Sequence, residues 1–231
     1  MSQLHFIGGE KGGVGKSVVS RVLAQYFIDR GLPFIGFDTD RSHGALMRFY
    51  GEYASPVFID SHDSLDRVFE AAAENPARRV LVDLAAQTQR SLGLWFDDSG
   101  VLDVAGDMGL TLTYWHVMDA GRDSVDLLRE LLDRFGHRLK LVLVLNEIRG
   151  DQFTLLAESG QLERARSLGA QVVSLRKLPD TIMQKLDGVN ASFWAAVNHS
   201  EPGSAPLGVL DRQRVKVWLQ RAYDEIEAVG A

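Results

Sequence analysis

Short apolar runs alternate along this chain with longer stretches in which apolar residues recur every three or four positions. The short runs are Leu4-His5-Phe6-Ile7, Phe34-Ile35-Gly36-Phe37, Val57-Phe58-Ile59, Val80-Leu81-Val82, Leu110 to Val117, Leu141 to Leu145 and Val172-Val173-Ser174-Leu175. Several are apolar throughout, as strands covered on both faces are. Between them, Val18, Val19, Val22, Leu23, Tyr26 and Phe27 repeat at helical spacing within Ser17 to Arg30, a stretch stopped by Gly31 and Pro33. Leu65 to Ala73 reads as a second helix that ends before Asn75-Pro76. Val125, Leu128, Leu131, Leu132 and Phe135 mark one face of another, closed by Gly136. From Asp180 the chain reads as helical apart from a loop, Ser200 to Gly208. The alternation predicts an α/β fold: a doubly wound, mostly parallel sheet in one domain over residues 1–231, helical from about residue 180.

In such sheets ligands bind beyond the carboxyl ends of the strands. Polar residues stand at several of those ends. The first strand runs into a glycine-rich loop, and three later ones end at Asp38, Asp83 and Asn146. The pattern therefore predicts that one sheet edge carries the chemistry.

The loop is Glu10-Lys11-Gly12-Gly13-Val14-Gly15-Lys16-Ser17-Val18, placed between a strand and a helix. That is the setting of a phosphate-binding P-loop. Glycines let backbone N–H groups approach phosphate oxygens, and the helix N-terminus adds a partial positive charge of roughly +0.5 e. Lys16 supplies a mobile cation for the β- and γ-phosphates, and Ser17 a hydroxyl for Mg²⁺. A general P-loop has glycine where this chain has Glu10, and the second lysine, Lys11, is unusual.

Lys11 to Ser17 resembles the deviant P-loop of the ParA/MinD family. The resemblance implies a P-loop ATPase that uses ATP and Mg²⁺. It implies that Gly12, Gly13, Val14, Gly15, Lys16, Ser17 and Val18 hold the nucleotide, and that Lys11 crosses an ATP-sandwich homodimer to the partner's phosphates. Asp38 matches a residue near the Mg²⁺ shell, and Asp40 one that positions or polarises the attacking water, which makes Lys11, Lys16 and Asp40 the catalytic candidates. Asp83 matches the Walker B aspartate, which reaches Mg²⁺ through water and joins Ser17 and Asp38 in the metal set. Asn146 matches an adenine-contacting asparagine, and Pro179 a backbone segment lining the base pocket. The chain departs from the family at Arg41, where a proline is usual, and at Leu84-Ala85-Ala86-Gln87, in the loop that senses γ-phosphate. Asn146-Glu147-Ile148-Arg149 lacks the Asn-Lys-x-Asp pattern of a guanine site, so ATP is expected over GTP.

Composition narrows this further. With no cysteines the chain cannot ligate an iron–sulfur cluster through thiolates, which excludes relatives of the nitrogenase iron protein and the cluster scaffolds. A net charge of −6 argues against a strongly basic nucleic-acid binder. Arg164, Arg166, Arg176, Lys177 and Lys185 nonetheless offer a DNA-facing patch of the kind ParA-like proteins use, with a solvated face as the plainer reading. No apolar stretch approaches the ~20 residues needed to span a bilayer, and nothing at the N-terminus resembles a signal peptide, so the cytoplasm is expected. The last helix carries Val215, Trp218, Leu219, Ala222 and Ile226 on one face with acidic residues following, which suits docking better than membrane binding.

Gly44 to Tyr50 and Ala85 to Thr88 resemble accessory ATPases of plasmid transfer and mobilisation regions. The expectation is an ATP-hydrolysing switch with slow basal turnover, a protein activator or cargo, and a role in DNA partition, plasmid transfer or positioning of a complex. The alternative is a nucleotide-dependent partner-binding module with little hydrolysis. A third class, relatives of dethiobiotin synthetase or cobyrinate amidase, has no need of a lysine at position 11.

Overall fold

The computed structural model describes residues 3–41, 44–75, 77–198 and 207–231. Strands β1 (Gln3–Gly8), β2 (Phe34–Asp38), β3 (Ala54–Pro56), β4 (Arg79–Asp83), β5 (Thr111–Met118), β6 (Lys140–Asn146) and β7 (Gln171–Leu175) form one seven-stranded sheet in the order β3-β2-β4-β1-β5-β6-β7. Every pairing is parallel. β1 lies between β4 and β5, so the glycine loop opens at the middle of the carboxyl edge.

Parallel strands need helical crossovers, which cover both faces. One face packs on α1 (Lys16–Asp29), α2 (Ala45–Tyr50), α9 (Asp180–Gly188), α10 (Phe193–Asn198) and α11 (Val209–Ala228) through Leu23, Phe27, Leu46, Ile182, Phe193 and Trp218. The other packs on α3 (His62–Glu74), α4 (Gln89–Ser99), α5 (Val101–Asp107), α6 (Arg122–Phe135), α7 (Thr154–Glu158) and α8 (Gln161–Ser167) through Leu65, Phe96, Val101, Leu128, Leu156 and Ala165. The doubly wound expectation holds, and the sheet is parallel throughout. α11 docks as its apolar face predicts: Val215, Trp218, Leu219, Ala222 and Ile226 are buried, and the Trp218 indole donates to the Arg176 carbonyl at 2.6 Å.

Val57-Phe58-Ile59 is not a strand; β3 occupies Ala54–Pro56 just before it. Pro56 has no N–H to give a ladder, which suits the last position of an edge strand. Val57 turns inward and donates its N–H to the Asp38 carbonyl, while Phe58 lies under the Arg41 guanidinium. The periodicity also left α2, α4, α5, α7 and α8 unassigned. Within the expected loop Ser200 to Gly208, residues 200–206 lie outside the described residues, as does Pro76.

One buried group makes stability depend on pH. His5 of β1 is buried against Phe27 and Trp115. The Trp115 indole N–H donates to His5 Nδ1 at 3.1 Å, which fixes the neutral tautomer with its proton on Nε2, facing Gln3 Oε1 at 3.2 Å. Burial, then the charges of Arg79 and Lys140, push its pKa down to about 3. The unfolded chain therefore binds a proton near pH 6.5 that the folded chain refuses, and stability is lost as pH falls below that value. His5→Gln keeps an acceptor for Trp115 and does not titrate. Melting temperatures between pH 7 and 5 are expected to fall less steeply for His5→Gln than for the wild type; equal slopes would refute the assignment.

Candidate functional site

The loop leaving β1 turns back on itself into α1. Gly15, at the α1 N-cap, has φ 95°, a conformation that disfavours any side chain, and a Cβ there would overlap the Asn146 amide. That amide donates from Nδ2 to the Val14 carbonyl at 2.7 Å. Asn146, at the end of β6, thus pins the loop from the neighbouring strand end. No side chain caps α1, which leaves its N-terminus open to a ligand. A cavity of about 400 Å³ opens there, lined by Gly12, Gly13, Gly15, Lys16, Ser17 and Val18 and faced by Asp40, Asp83, Leu84, Ala85, Ala86 and Ile148.

Lys16 is buried, with Nζ 3.1 Å from the Lys11 carbonyl. Burial pushes the ammonium below its usual value, while the charges of Asp83, Glu10 and Asp40 pull it back. Burial, then the nearby charge of Asp38, pushes Asp83 up to about 7; the hydroxyls of Ser20 and Ser17 and the Lys16 charge act the other way. Asp83 Oδ1 is buried without a hydrogen-bond partner among the described residues.

Asp38 is engaged differently. Its Oδ1 accepts the Asp40 N–H at 3.0 Å, and its Oδ2 accepts from Leu46 at 2.9 Å and Met47 at 3.2 Å. The carboxylate therefore caps α2 and shapes the turn that presents Asp40. Burial raises its pKa, and the three backbone donors pull it down.

Two residues to which the sequence reading gave no role tie the loops together. The Thr39 hydroxyl donates to the Asp83 carbonyl at 3.2 Å and accepts from the Ala85 N–H at 2.7 Å. Glu10 Oε1 accepts the Gln89 N–H at 2.6 Å, so the glycine loop holds the first turn of α4. Between these ties Gln87 sits at φ 61°, in the left-handed region.

A third residue, Asp119, follows β5 at the same edge, and its side chain is wholly buried. It accepts from the Ser124 hydroxyl at 2.6 Å and the Gly121 N–H at 3.1 Å. Lys11 Nζ lies 3.3 Å from its Oδ2 and 3.6 Å from Asp123, and Arg149 Nε lies 3.4 Å from the same Oδ2. Burial opposes ionisation, but Ser124, Gly121 and Lys11 outweigh it and hold the carboxyl below its usual range. In the single chain, then, Lys11 folds back on its own subunit. The signal for Asp119 was available: like Asp38, Asp83 and Asn146, it stands at the end of an apolar strand.

The 3-10 turn Glu147–Arg149 separates the phosphate-sized cavity from a second cleft of about 610 Å³. Glu147, Asp151, Pro179 and Trp218 line that cleft with Arg176, Lys177, Arg214 and Arg221. Pro179 therefore lies on the far side of the turn from Lys16. Glu147, which belongs to the local run, and Asp151 are the acidic residues of that lining. The basic residues grouped by sequence do not form one patch. Arg164, on α8, pairs with Asp133 at 2.7 Å on one face of the sheet; Lys185, on α9, pairs with Asp211 at 2.8 Å on the other. No helix among the described residues is long and apolar enough to cross a membrane.

Comparison with known proteins bears on the family and the fold. The family described as "CobQ/CobB/MinD/ParA nucleotide binding domain" matches residues 5–188. Protein MobD of Acidithiobacillus ferrooxidans is 24% identical over 232 residues, covering 98% of this chain and 97% of its own. A protein TraL of Escherichia coli is 23% identical over 249 residues, covering 100% and 99%. Among solved structures, the MinC:MinD cell division protein complex of Aquifex aeolicus superposes with a TM-score of 0.57 at 12% identity, over 98% of this chain and 96% of that one. Apo McdA of Cyanthece superposes with a TM-score of 0.53 at 12% identity, over 100% of both chains.

Proposed function

The chain belongs to the CobQ/CobB/MinD/ParA nucleotide-binding domain family, and from that premise we propose that it is an ATP-driven molecular switch whose active state is an ATP-sandwich homodimer. The observation that carries this reading is the cavity where the loop backbone, Lys16, Asp40 and Asp83 converge. The loop N–H groups and Lys16 bind the phosphates. Asp40 orients a water against the γ-phosphorus and takes up its proton; the new P–O bond forms as the bond to the β–γ bridging oxygen breaks, and ADP leaves with that electron pair. Lys11 leaves Asp119 and neutralises charge on the partner's nucleotide.

The residues present suit Mg²⁺. This ion keeps most of its waters and takes one or two protein oxygens beside the phosphates. The Ser17 hydroxyl would supply one such position, and the orphaned Asp83 Oδ1 would hold one of the ion's waters. Bound there, Mg²⁺ neutralises phosphate charge. Asp38 is expected to act through Asp40 and α2, since its oxygens already hold backbone donors. Asn146 fixes the loop, and the base enters the cleft beside Pro179.

The likeness to MobD and TraL along the whole chain supports a role in plasmid transfer or mobilisation, with partition or positioning of a complex as related uses. A cytoplasmic, single-domain protein with a protein activator or cargo fits this role. DNA is a further partner only if Arg176, Lys177, Arg214 and Arg221 face it. The loop Leu84-Ala85-Ala86-Gln87 supports a second reading, a partner-binding module that hydrolyses little, because it replaces the Pro or Gly usual in the family behind the Walker B aspartate.

Light scattering with ATP, ADP and a non-hydrolysable analogue, alongside steady-state turnover, tests both. A dimer with ATP and the analogue but not ADP, with slow turnover, is expected. A monomer with every nucleotide would overturn the sandwich mechanism, and an ATP dimer without turnover would favour the second reading. In a competition titration ATP is expected to outbind GTP; the reverse order would assign Glu147 and Asp151 to guanine.

A further inference from the structure

We propose that Arg149 contacts the phosphates of the nucleotide bound in its own subunit, aimed there by the buried carboxylate of Asp119. The proposal rests on the reading that the glycine loop binds a nucleotide.

Arg149 ends the 3-10 turn whose Ile148 lines the phosphate-sized cavity. Its Nε is 3.4 Å from Asp119 Oδ2. Asp119 is itself fixed by Ser124 and Gly121, so the near edge of the guanidinium is tethered to a rigid anion. The far edge reaches the glycine loop: Nη2 lies 3.5 Å from the point where a Cβ on Gly13 would stand. Gly13 adopts φ 76° and has no side chain to stand between the guanidinium and the loop backbone.

An arginine that served only to pair Asp119 would be weakly justified. More than half of its side chain is exposed, where an ion pair contributes little, and Asp119 already has Lys11. A planar guanidinium has separate donor edges, so one can hold a carboxylate while another meets phosphate oxygens. Lys11 is committed to Asp119 and Asp123 in the single chain. Arg149 therefore gives each subunit a second side-chain cation beside Lys16 before any dimer forms. The turn after β6 stands between the two cavities and Arg149 itself lines neither in the single chain, so its guanidinium must swing toward the nucleotide from its place beside Gly13.

The test is a titration of Mg-ADP and a non-hydrolysable Mg-ATP analogue into wild type, Arg149→Ala, Arg149→Lys, Asp119→Asn and Lys16→Ala. Loss of a charged phosphate contact is expected to weaken binding to Arg149→Ala by about tenfold or more. Arg149→Lys should fall between, and covers the case in which Ala does not fold. The deficit should shrink as salt rises, because the site is partly open to solvent. Asp119→Asn loosens the tether but keeps the guanidinium, and should lose part of the affinity, less than Arg149→Ala loses. Wild-type affinity in Arg149→Ala overturns the proposal. So does a loss in Arg149→Ala that does not shrink as salt rises, which would make Arg149 a brace rather than a phosphate contact. If Lys16→Ala loses binding while Arg149→Ala does not, this inference fails alone; if the wild type binds neither nucleotide, the reading of the loop fails with it.

Discussion

Lys16→Ala is expected to abolish the thermal stabilisation that Mg-ATP gives the wild type. Ligand at a hundred times its dissociation constant stabilises a folded protein by about 2.7 kcal/mol. In a domain of this size ~1 kcal/mol moves the melting temperature by roughly 2–4 °C. The wild type should therefore gain about 5–10 °C, and the variant nothing. The Lys16 ammonium is already largely removed from water, held at the Lys11 carbonyl and surrounded by Asp83, Glu10 and Asp40. It is poised to exchange those partners for phosphate oxygens with little further desolvation. Without it, the remaining groups at the mouth of the cavity include carboxylates that repel a polyphosphate. The apo melting temperature should hardly move, because the variant loses a costly desolvated charge along with the carboxylates' neutralising partner. Wild-type-like stabilisation of Lys16→Ala by Mg-ATP would remove the basis for the phosphate site.

The strands and the first helix could be read because their signals are local. β1, β2, β4 and β6 are apolar runs ending in glycine or polar residues, β5 and β7 are largely apolar runs ending at Met118 and Leu175, and α1 has apolar spacing with Gly31 behind it. α4 could not be read this way. Thr88 precedes it but makes no side-chain cap, and the carboxylate that meets its first N–H is Glu10, distant in sequence. A helix whose start is satisfied from another strand end carries no start signal of its own. Asp119 and Arg149 are similar: they meet because β5 and β6 are neighbours, a fact of strand order rather than spacing. The basic residues failed in the opposite sense. Arg164 and Lys185 read as neighbours in a general tally of charge, but α8 and α9 pack on opposite faces of the sheet. Positions at strand ends could thus be inferred from sequence, while the partners that hold them could not.

Lys11→Ala is expected to bind one ATP per chain and to lose ATP-dependent dimerisation, turnover or both. An arginine finger supplied in trans accelerates GTP hydrolysis by about 10³–10⁵; a lysine acts as a point charge, so a loss near the lower end is expected here. In the single chain Lys11 is held by Asp119 and Asp123, and it must leave them to cross a dimer. Its release is less costly than it would be from an isolated buried pair, because Arg149, Ser124 and Gly121 remain on Asp119. The same contacts predict that apo Lys11→Ala stays folded, with only a small drop in melting temperature. Mixing variants separates action in trans from action in cis. In a heterodimer of Lys11→Ala with Lys16→Ala, the first subunit holds ATP and the second still offers its own Lys11. Some turnover should return on mixing two variants that are each inactive alone, provided the half-filled dimer forms, which light scattering of the mixture reports. If the mixed dimer forms and stays inactive, Lys11 acts within its own subunit and its pairing with Asp119 belongs to the working state.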